Sequence, residues 1–277
     1  MSSVREVFLY PNGNMNAVGV RKLRLGEIAF YITPSVVEQD GRVNQDSLAI
    51  IELSDRSIVL AIADGAGGHR GGAKASRTAI TTLVDSLSES DQSDSWKSVL
   101  LHSIDSANEA VSGLGVGAAS TFMVAHINQQ GLRPYHVGDS GSLVVGQRGK
   151  IKLQTVSHSP TGYALESGLL DEESALKHED RNIVSNLLGS EEMHIQIGGR
   201  VKLSRRDTVL LASDGVFDNL RRDEIVSLIR KGKLVKVLEK LIDKSHERML
   251  NAGSDEPSKA DDLSVILYRP VAESQRA

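Results

Sequence analysis

Several aspartates stand where an apolar run begins or stops. Asp64 ends the run Ile58–Ala63 in "SIVLAIADGAGGH", Asp214 ends the run in "TVLLASDGVFDN", and Asp139 sits in "HVGDSG". Asp261 and Asp262 come just before "LSVILY", Asp46 just before "SLAII", and Asp218 four residues past Asp214. Taken singly, Asp-Gly and Gly-Asp are ordinary turn pairs. Taken together they form a pattern, because strands buried in one core can end near each other and bring their terminal carboxylates together. Converged carboxylates repel and are costly to desolvate unless cations lie between them. An oxygen-only donor set suits Mg²⁺ or Mn²⁺. Two such ions, typically about 3.5–4 Å apart, can present a hydroxide and clamp a phosphoryl group for in-line attack. Phosphate-ester hydrolysis is the reaction class this pattern points to. The glycines beside Asp64 and Asp214 read as clearance for a backbone carbonyl and a bulky ligand.

Such aspartates need rigid mounts. Seven segments have the Val/Ile/Leu content and the Gly, Asp or Asn ends of short strands: 47–53, 57–63, 120–127, 132–137, 141–147, 208–213 and 263–269. Turn signals such as "NQQG" (128–131) and "QRGK" (147–150) separate close neighbours, which favours antiparallel hairpins. Helical periodicity covers 71–90, 95–114 and 232–250, the last with Leu234, Val237, Leu238, Leu241 and Ile242 on one face. Trp96 reads as core, and the lysines of 232–250, interleaved with Glu239, Asp243 and Glu247, as a solvated face. The expectation is an α+β fold of two stacked, mostly antiparallel sheets flanked by helices. The stretch 26–35 is read as an edge strand or partner site, and 1–35 as a possible N-terminal extension or edge strand. The less regular stretch 156–197 is read as a flap.

With 277 residues, one large domain is as reasonable as two. A net charge of -4 gives no basic footprint for nucleic acid or an anionic membrane surface. The absence of cysteine removes disulfides, thiolate metal sites and cysteine nucleophiles. The first residues lack the apolar core of a signal peptide, and no run approaches the roughly 18 residues of a membrane helix. A cytoplasmic protein is the expectation.

In order along the chain, "NQD" (44–46), "ADGAGGH" (63–69), "GAAST" (117–121), "VGDSGS" (137–142), "ASDGVFD" (212–218) and "DDLSVILY" (261–268) resemble the motifs of the metal-dependent Ser/Thr protein phosphatases, type 2C or PPM, of the bacterial kind. The resemblance implies a four-layer αββα sandwich over a single catalytic domain, 1–277. It also implies two or three Mn²⁺ or Mg²⁺ ions and hydrolysis of phosphoserine or phosphothreonine in proteins by a metal-bridging hydroxide. Asp64 would bridge two ions, with the Gly65 carbonyl on one of them and Asp214 and Asp261 on the other side. Asp139 and Asp218 would match a third, weaker position, and Asp46 would orient water from behind the ligands. A phosphorylated protein is the implied partner, with a Ser/Thr kinase as counterpart.

Three positions depart from the family pattern. The phosphate-binding arginine expected five residues before Asp46 is Gly41, with Arg42 the nearest candidate. Ala66 stands where eukaryotic members carry a histidine, so the leaving-group acid stays open, and His69 is not assigned that duty. Gly141 replaces the arginine of G-D-S-R. In the flap, Ser157 stands where an acidic residue is common, and His158 reads as loop packing rather than catalysis. Departures at Arg42 and Gly141 keep a second reading in play, a phosphatase-like module that binds phosphoprotein or metal without turnover. Gly138-Asp139-Ser140-Gly141 also matches a serine-protease nucleophile motif, but that leaves the other aspartates unexplained. The glycines of 67–76 match neither a P-loop nor a dinucleotide fingerprint in full.

Overall fold

The computed structural model describes residues 3–37, 43–66, 71–90, 95–115, 117–253 and 255–271. The first half of the chain forms β1 (Val4–Pro11), β2 (Gly19–Lys22), β3 (Gly26–Thr33), β4 (Asp46–Leu53), β5 (Ile58–Ala66), α1 (Gly71–Glu89), α2 (Trp96–Ser112), β6 (Ala119–Ser120), β7 (Phe122–Asn128) and β8 (Gly131–Val137). The second half forms β9 (Gly141–Val145), β10 (Ile151–Gln154), α3 (Pro160–Glu166), α4 (Glu172–Leu176), β11 (Gln196–Ile197), β12 (Thr208–Ala212), α5 (Asp214–Phe217), α6 (Arg222–Ile229), α7 (Leu234–Leu250) and β13 (Leu263–Pro270). Among these residues one sheet runs β1-β4-β5-β7-β8-β11, with β6 beside β5. The other runs β10-β9-β12-β13-β3-β2. Every ladder between these strands is antiparallel.

The alternation of side chains along β5 explains why its sequence is apolar without interruption. Ile58, Leu60 and Ile62 point into the space between the sheets, where they meet Ile28, Phe30, Ile32, Val209, Leu211 and Ile266. Val59, Ala61 and Ala63 point the other way, onto Ala75, Ala79, Ile80 and Leu83 of α1. The second sheet is covered likewise: Leu210, Ala212, Val265 and Leu267 pack on Ile225, Ile229, Leu238 and Leu241 of α6 and α7. Two sheets buried on both faces, with helices outside, make the four-layer αββα sandwich. Each fully buried Leu or Ile contributes about 1.5–3 kcal/mol, so three such clusters hold the strand ends rigidly. The small residues of β5 on its helix side let α1 lie close to the sheet.

The reading of 26–35 as an edge strand is corrected. β3 is an interior strand, bonded to β13 on one side and β2 on the other. Its Ile28, Phe30 and Ile32 are fully buried. The late helix carries a feature the periodicity did not announce: Arg248, buried on the core side of α7, bonds Glu224 at 2.7 Å and Glu256 at 2.5 Å. Trp96 packs partly buried against the α1/α2 core and donates its indole N–H to Asp55. Between 156 and 197 lie α3, α4, a 3₁₀ turn at Glu179–Asn182 and β11, which pairs with β8. Among the described residues, no helix is long and apolar enough to cross a membrane.

Candidate functional site

The aspartates gather at one end of the seam between the two sheets. Asp46 opens β4 and lies opposite Asp64 near the end of β5. The Asp64 main chain is fixed by its neighbours: its N–H donates to Thr121 Oγ1 at 3.0 Å, and its carbonyl accepts from Thr121 N at 2.8 Å and Ser120 Oγ at 2.9 Å. Thr121 Oγ1 lies 2.7 Å from Ser140 Oγ, tying Asp64 to the loop that carries Asp139. Ser140 is 1% exposed and engaged in that bond, so it is not a presented nucleophile and the protease reading fails.

The second sheet supplies the rest. Asp214 begins α5 directly after β12, and Asp218 follows one turn later, its N–H donating to Asp214 O at 2.8 Å. Ser213 crosses to the first sheet, its hydroxyl donating to Asp46 Oδ2 at 2.8 Å and accepting from Ser264 N at 3.1 Å. Asp261 and Asp262 precede β13. Asp262 accepts from Ser35 N at 2.9 Å and Gln45 N at 2.7 Å, which makes it a tie between segments rather than a second ligand-like carboxylate.

The glycines make room for other stretches of main chain. A Cβ on Gly65 would lie 2.1 Å from the carbonyl oxygen of Gly72, and one on Gly215 would lie 2.1 Å from that of Asp262. Both Asp-Gly glycines therefore let another stretch of backbone pass directly behind the carboxylate. Of the two expected reasons, room for a backbone carbonyl is what these contacts show, and room for a bulky ligand is not. Gly141 is likewise enclosed, with Thr155 Oγ1 and the Phe217 ring within about 3 Å of where a Cβ would stand. The family arginine would have to displace both.

Electrostatically the cluster is strained. Burial, then the Asp262 charge, push Asp46 well above the usual carboxylate range, against hydrogen bonds from Ser264 and Ser213. Asp64 is pushed up by its enclosure and then by Asp46, Asp214, Asp261 and Asp139. Asp139 is pushed up to about 8, by burial first and then by Asp214 and Asp218, with Lys259 opposing. One buried oxygen each on Asp46, Asp139 and Asp214 has no hydrogen-bond partner. Orphaned anionic oxygens among repelling carboxylates are the signature of a place suited to cations, and the donor set is the hard-oxygen kind that Mg²⁺ and Mn²⁺ take. The residues thus fit divalent ions in kind. Among the described residues, however, no group of three or more His, Cys, Asp or Glu side chains is drawn in closely enough to hold an ion as it stands.

What does stand among them is Lys259, a residue the sequence reading passed over. Its ammonium bonds Asp214 Oδ2, lies 3.0 Å from Asp218 Oδ2 and 3.2 Å from Asp261 Oδ2, and its side chain is 15% exposed. Burial opposes its charge, but Asp214, Asp218 and Asp261 win and hold it firmly protonated. Only its place two residues before Asp261 could have drawn notice. Thr121, Ser213 and Asn219 were missed too, because a supporting hydrogen bond leaves no sequence pattern.

Arg42 and His69 lie outside the described residues. Gly65 pairs with Ser120 and donates its N–H to Gln45 O at 3.1 Å. His158 is a pin: its Nδ1 accepts from Gly138 N at 3.1 Å and from Asn186 Nδ2 at 2.8 Å, and its Nε2–H donates to Gln196 at 2.7 Å. Beside Asp139, Asp214 and Asp218 a cavity of about 330 Å³ opens beneath the 156–197 segment, walled by Phe217, Leu165 and Leu176.

Comparison with known proteins agrees with the fold. The profile of the family described as "Protein phosphatase 2C" matches residues 36–257. A putative protein phosphatase 2C-type protein of Streptococcus pyogenes is 29% identical over 197 residues, covering 67% of this chain and 78% of that one. The structure of the S. agalactiae serine/threonine phosphatase superposes with a TM-score of 0.73 at 26% identity, over 87% of this chain and 99% of that one. In fold alone, the serine/threonine phosphatase Stp1 from Staphylococcus aureus matches with a TM-score of 0.74 at 22% identity, over 94% and 99% of the two chains.

Proposed function

The chain belongs to the protein phosphatase 2C family of Ser/Thr protein phosphatases, and from that membership we propose that it hydrolyses phosphoserine and phosphothreonine in proteins with divalent ions held by Asp64, Asp214 and Asp261. The observation that carries the reading is the meeting of carboxylates from both sheets at one end of the seam, with buried oxygens on Asp46, Asp139 and Asp214 left unpartnered. Bound there, two Mn²⁺ or Mg²⁺ ions would supply a bridging hydroxide as nucleophile and positive charge for the phosphoryl oxygens. Asp64, at the centre of the repulsion, would hold both ions, with the Gly65 carbonyl beside it. Asp46, held by the Ser213 hydroxyl, has the role of orienting the attacking water. Asp139 and Asp218 serve an outer, third position. Arg42 is assigned to the substrate phosphate, and protonation of the leaving group is left to solvent at the site, since Ala66 offers no acid. The proposal further takes 1–277 as one catalytic domain, acting in the cytoplasm on the products of a Ser/Thr kinase.

Gly141 and the ammonium among the aspartates favour the second reading, a binding module without turnover. The deciding experiment is hydrolysis of a phosphothreonine peptide with Mn²⁺, with Mg²⁺ and with chelator, by wild type and Asp214→Ala. Metal-dependent release of phosphate that falls at least about 100-fold in the variant supports the enzyme. No release by folded, metal-loaded wild type, on peptides or aryl phosphates, moves the conclusion to the binding module.

A further inference from the structure

Lys259 is built into the carboxylate cluster rather than straying there. Asn219, one residue past Asp218, clamps its main chain from both sides: the Lys259 N–H donates to Asn219 Oδ1 at 2.8 Å, and Asn219 Nδ2 donates to the Lys259 carbonyl at 2.9 Å. A second bond from Asn219 Nδ2 to Gly215 O, also 2.9 Å, fixes the same amide to α5. The backbone that carries Lys259 is therefore held to the helix that carries Asp214 and Asp218. From that anchor the side chain reaches Asp214, Asp218 and Asp261, three carboxylates assigned above to ions. An ammonium is a compact point charge on a flexible four-carbon stem. It can neutralise part of the cluster, and it can also swing away.

We propose that Lys259 is a tethered counter-ion that competes with a divalent ion for the position bounded by Asp214, Asp218 and Asp261. The inference rests on the reading of these aspartates as metal ligands. A divalent ion and an ammonium cannot share contacts with the same three carboxylates, because the two cations repel at that separation. Ion entry at this position therefore requires the Lys259 side chain to leave, which weakens binding there. An ion held chiefly by Asp64 and the Gly65 carbonyl, which are not among the carboxylates the ammonium pairs with, is affected less. The consequence is graded loading: an ion on the Asp64 side held tightly, and one on the Asp214 and Asp261 side admitted only at higher concentration.

The test is calorimetric titration of the purified full chain with Mn²⁺ alone, in wild type, Lys259→Met and Lys259→Arg, alongside thermal unfolding in chelator. Lys259→Met keeps the stem and removes the charge. Expected is a weakest Mn²⁺ site tightened at least tenfold, or one additional ion bound, together with a lower unfolding temperature in chelator. Lys259→Arg retains the weak site of wild type. Equal affinities and stoichiometry in wild type and Lys259→Met, or weaker binding in a folded Lys259→Met, overturn the proposal. Should Lys259→Met fail to fold, wild-type crystals grown without metal and at rising Mn²⁺ give the same answer. Nζ against Asp218 without metal and displaced when Mn²⁺ density fills the position supports competition, and Nζ in solvent without metal overturns it. No Mn²⁺ bound by any form overturns both this inference and the metal reading beneath it, whereas equal binding by all forms overturns only this one.

Discussion

Asp46 and Asp64 face each other directly across the antiparallel β4–β5 ladder, so two carboxyls that repel share one face of the same sheet. Strand geometry enforces the pairing, since residues opposite each other point the same way. The arrangement costs stability without a cation and gains from one. Asp46→Asn keeps an acceptor for the Ser213 hydroxyl while removing the charge. We expect the metal-free variant to unfold at or above the wild-type temperature near pH 8, and its Mn²⁺ affinity to fall at least tenfold. Thermal unfolding with chelator and with Mn²⁺ reads both, and a clearly lower metal-free midpoint would show that repulsion is not what governs this pair.

Gly215 offers a test in which two effects have opposite signs. Alanine is favoured over glycine inside a helix by about 1 kcal/mol. A Cβ at Gly215, however, would stand 2.1 Å from the Asp262 carbonyl oxygen, a contact with backbone that cannot be relieved by a side-chain rotation. Overpacking of this kind costs about 1–3 kcal/mol or more, so Gly215→Ala is expected to destabilise. Urea unfolding measures it, and a stabilised variant would mean that α5 and the start of β13 are further apart than described.

Asp262→Ala removes the acceptor of two main-chain N–H groups, those of Ser35 and Gln45. It also relieves some of the repulsion felt by Asp46, but burial is the larger cause of that shift. Loss of the hydrogen bonds should therefore win, at about 2 kcal/mol. Asp262→Asn, which keeps one acceptor oxygen, should fall between wild type and Ala in chemical denaturation. Equal stability of Ala and wild type would remove Asp262 as a tie.

Acid sensitivity should come from histidines remote from the aspartates. Burial holds His126 down to about 4, and its Nε2 has no hydrogen-bond partner. A histidine whose folded pKa lies below its unfolded value of about 6.5 binds fewer protons when folded, so stability is full above that value and is lost as pH falls toward 4. For His126 the loss is on the order of 2 kcal/mol between pH 7 and pH 4. His126→Gln should show a shallower decline over that range in urea unfolding, and an unchanged slope would contradict the assignment.

Much of this arrangement could be read before any coordinates. Strands buried on both faces print as unbroken apolar runs, which is why β4, β5, β12 and β13 and the aspartates at their ends stood out. β1 did not: in "VREVFLYP" the residues are half-buried or exposed at a sheet edge, and charged side chains interrupt the pattern. β3 was seen but misplaced, because strand order is set by pairing between distant segments and leaves no local trace. The glycines were read half right, as room for a carbonyl but also for a ligand, since a sequence shows where a Cβ is missing and not what would have met it. Lys259 has no apolar run or motif of its own to mark it. The Asn219 clamp, from far away in sequence, helps hold it beside the aspartates.

The order of strands carries a consequence for biosynthesis. β13 is the last strand among the described residues, yet it lies in the interior of the second sheet, between β12 and β3. Its neighbour β3 comes more than two hundred residues earlier, so that strand must wait, with an unpaired edge, while the intervening chain is made. Ser35 and Gln45 wait for Asp262 in the same way. The first sheet can pair while translation continues, whereas the carboxylate cluster cannot assemble until residues 261–270 have left the ribosome. A partly synthesised chain would thus carry Asp46, Asp64, Asp139, Asp214 and Asp218 without Asp261 and Asp262, and the cluster closes only when β13 is in place.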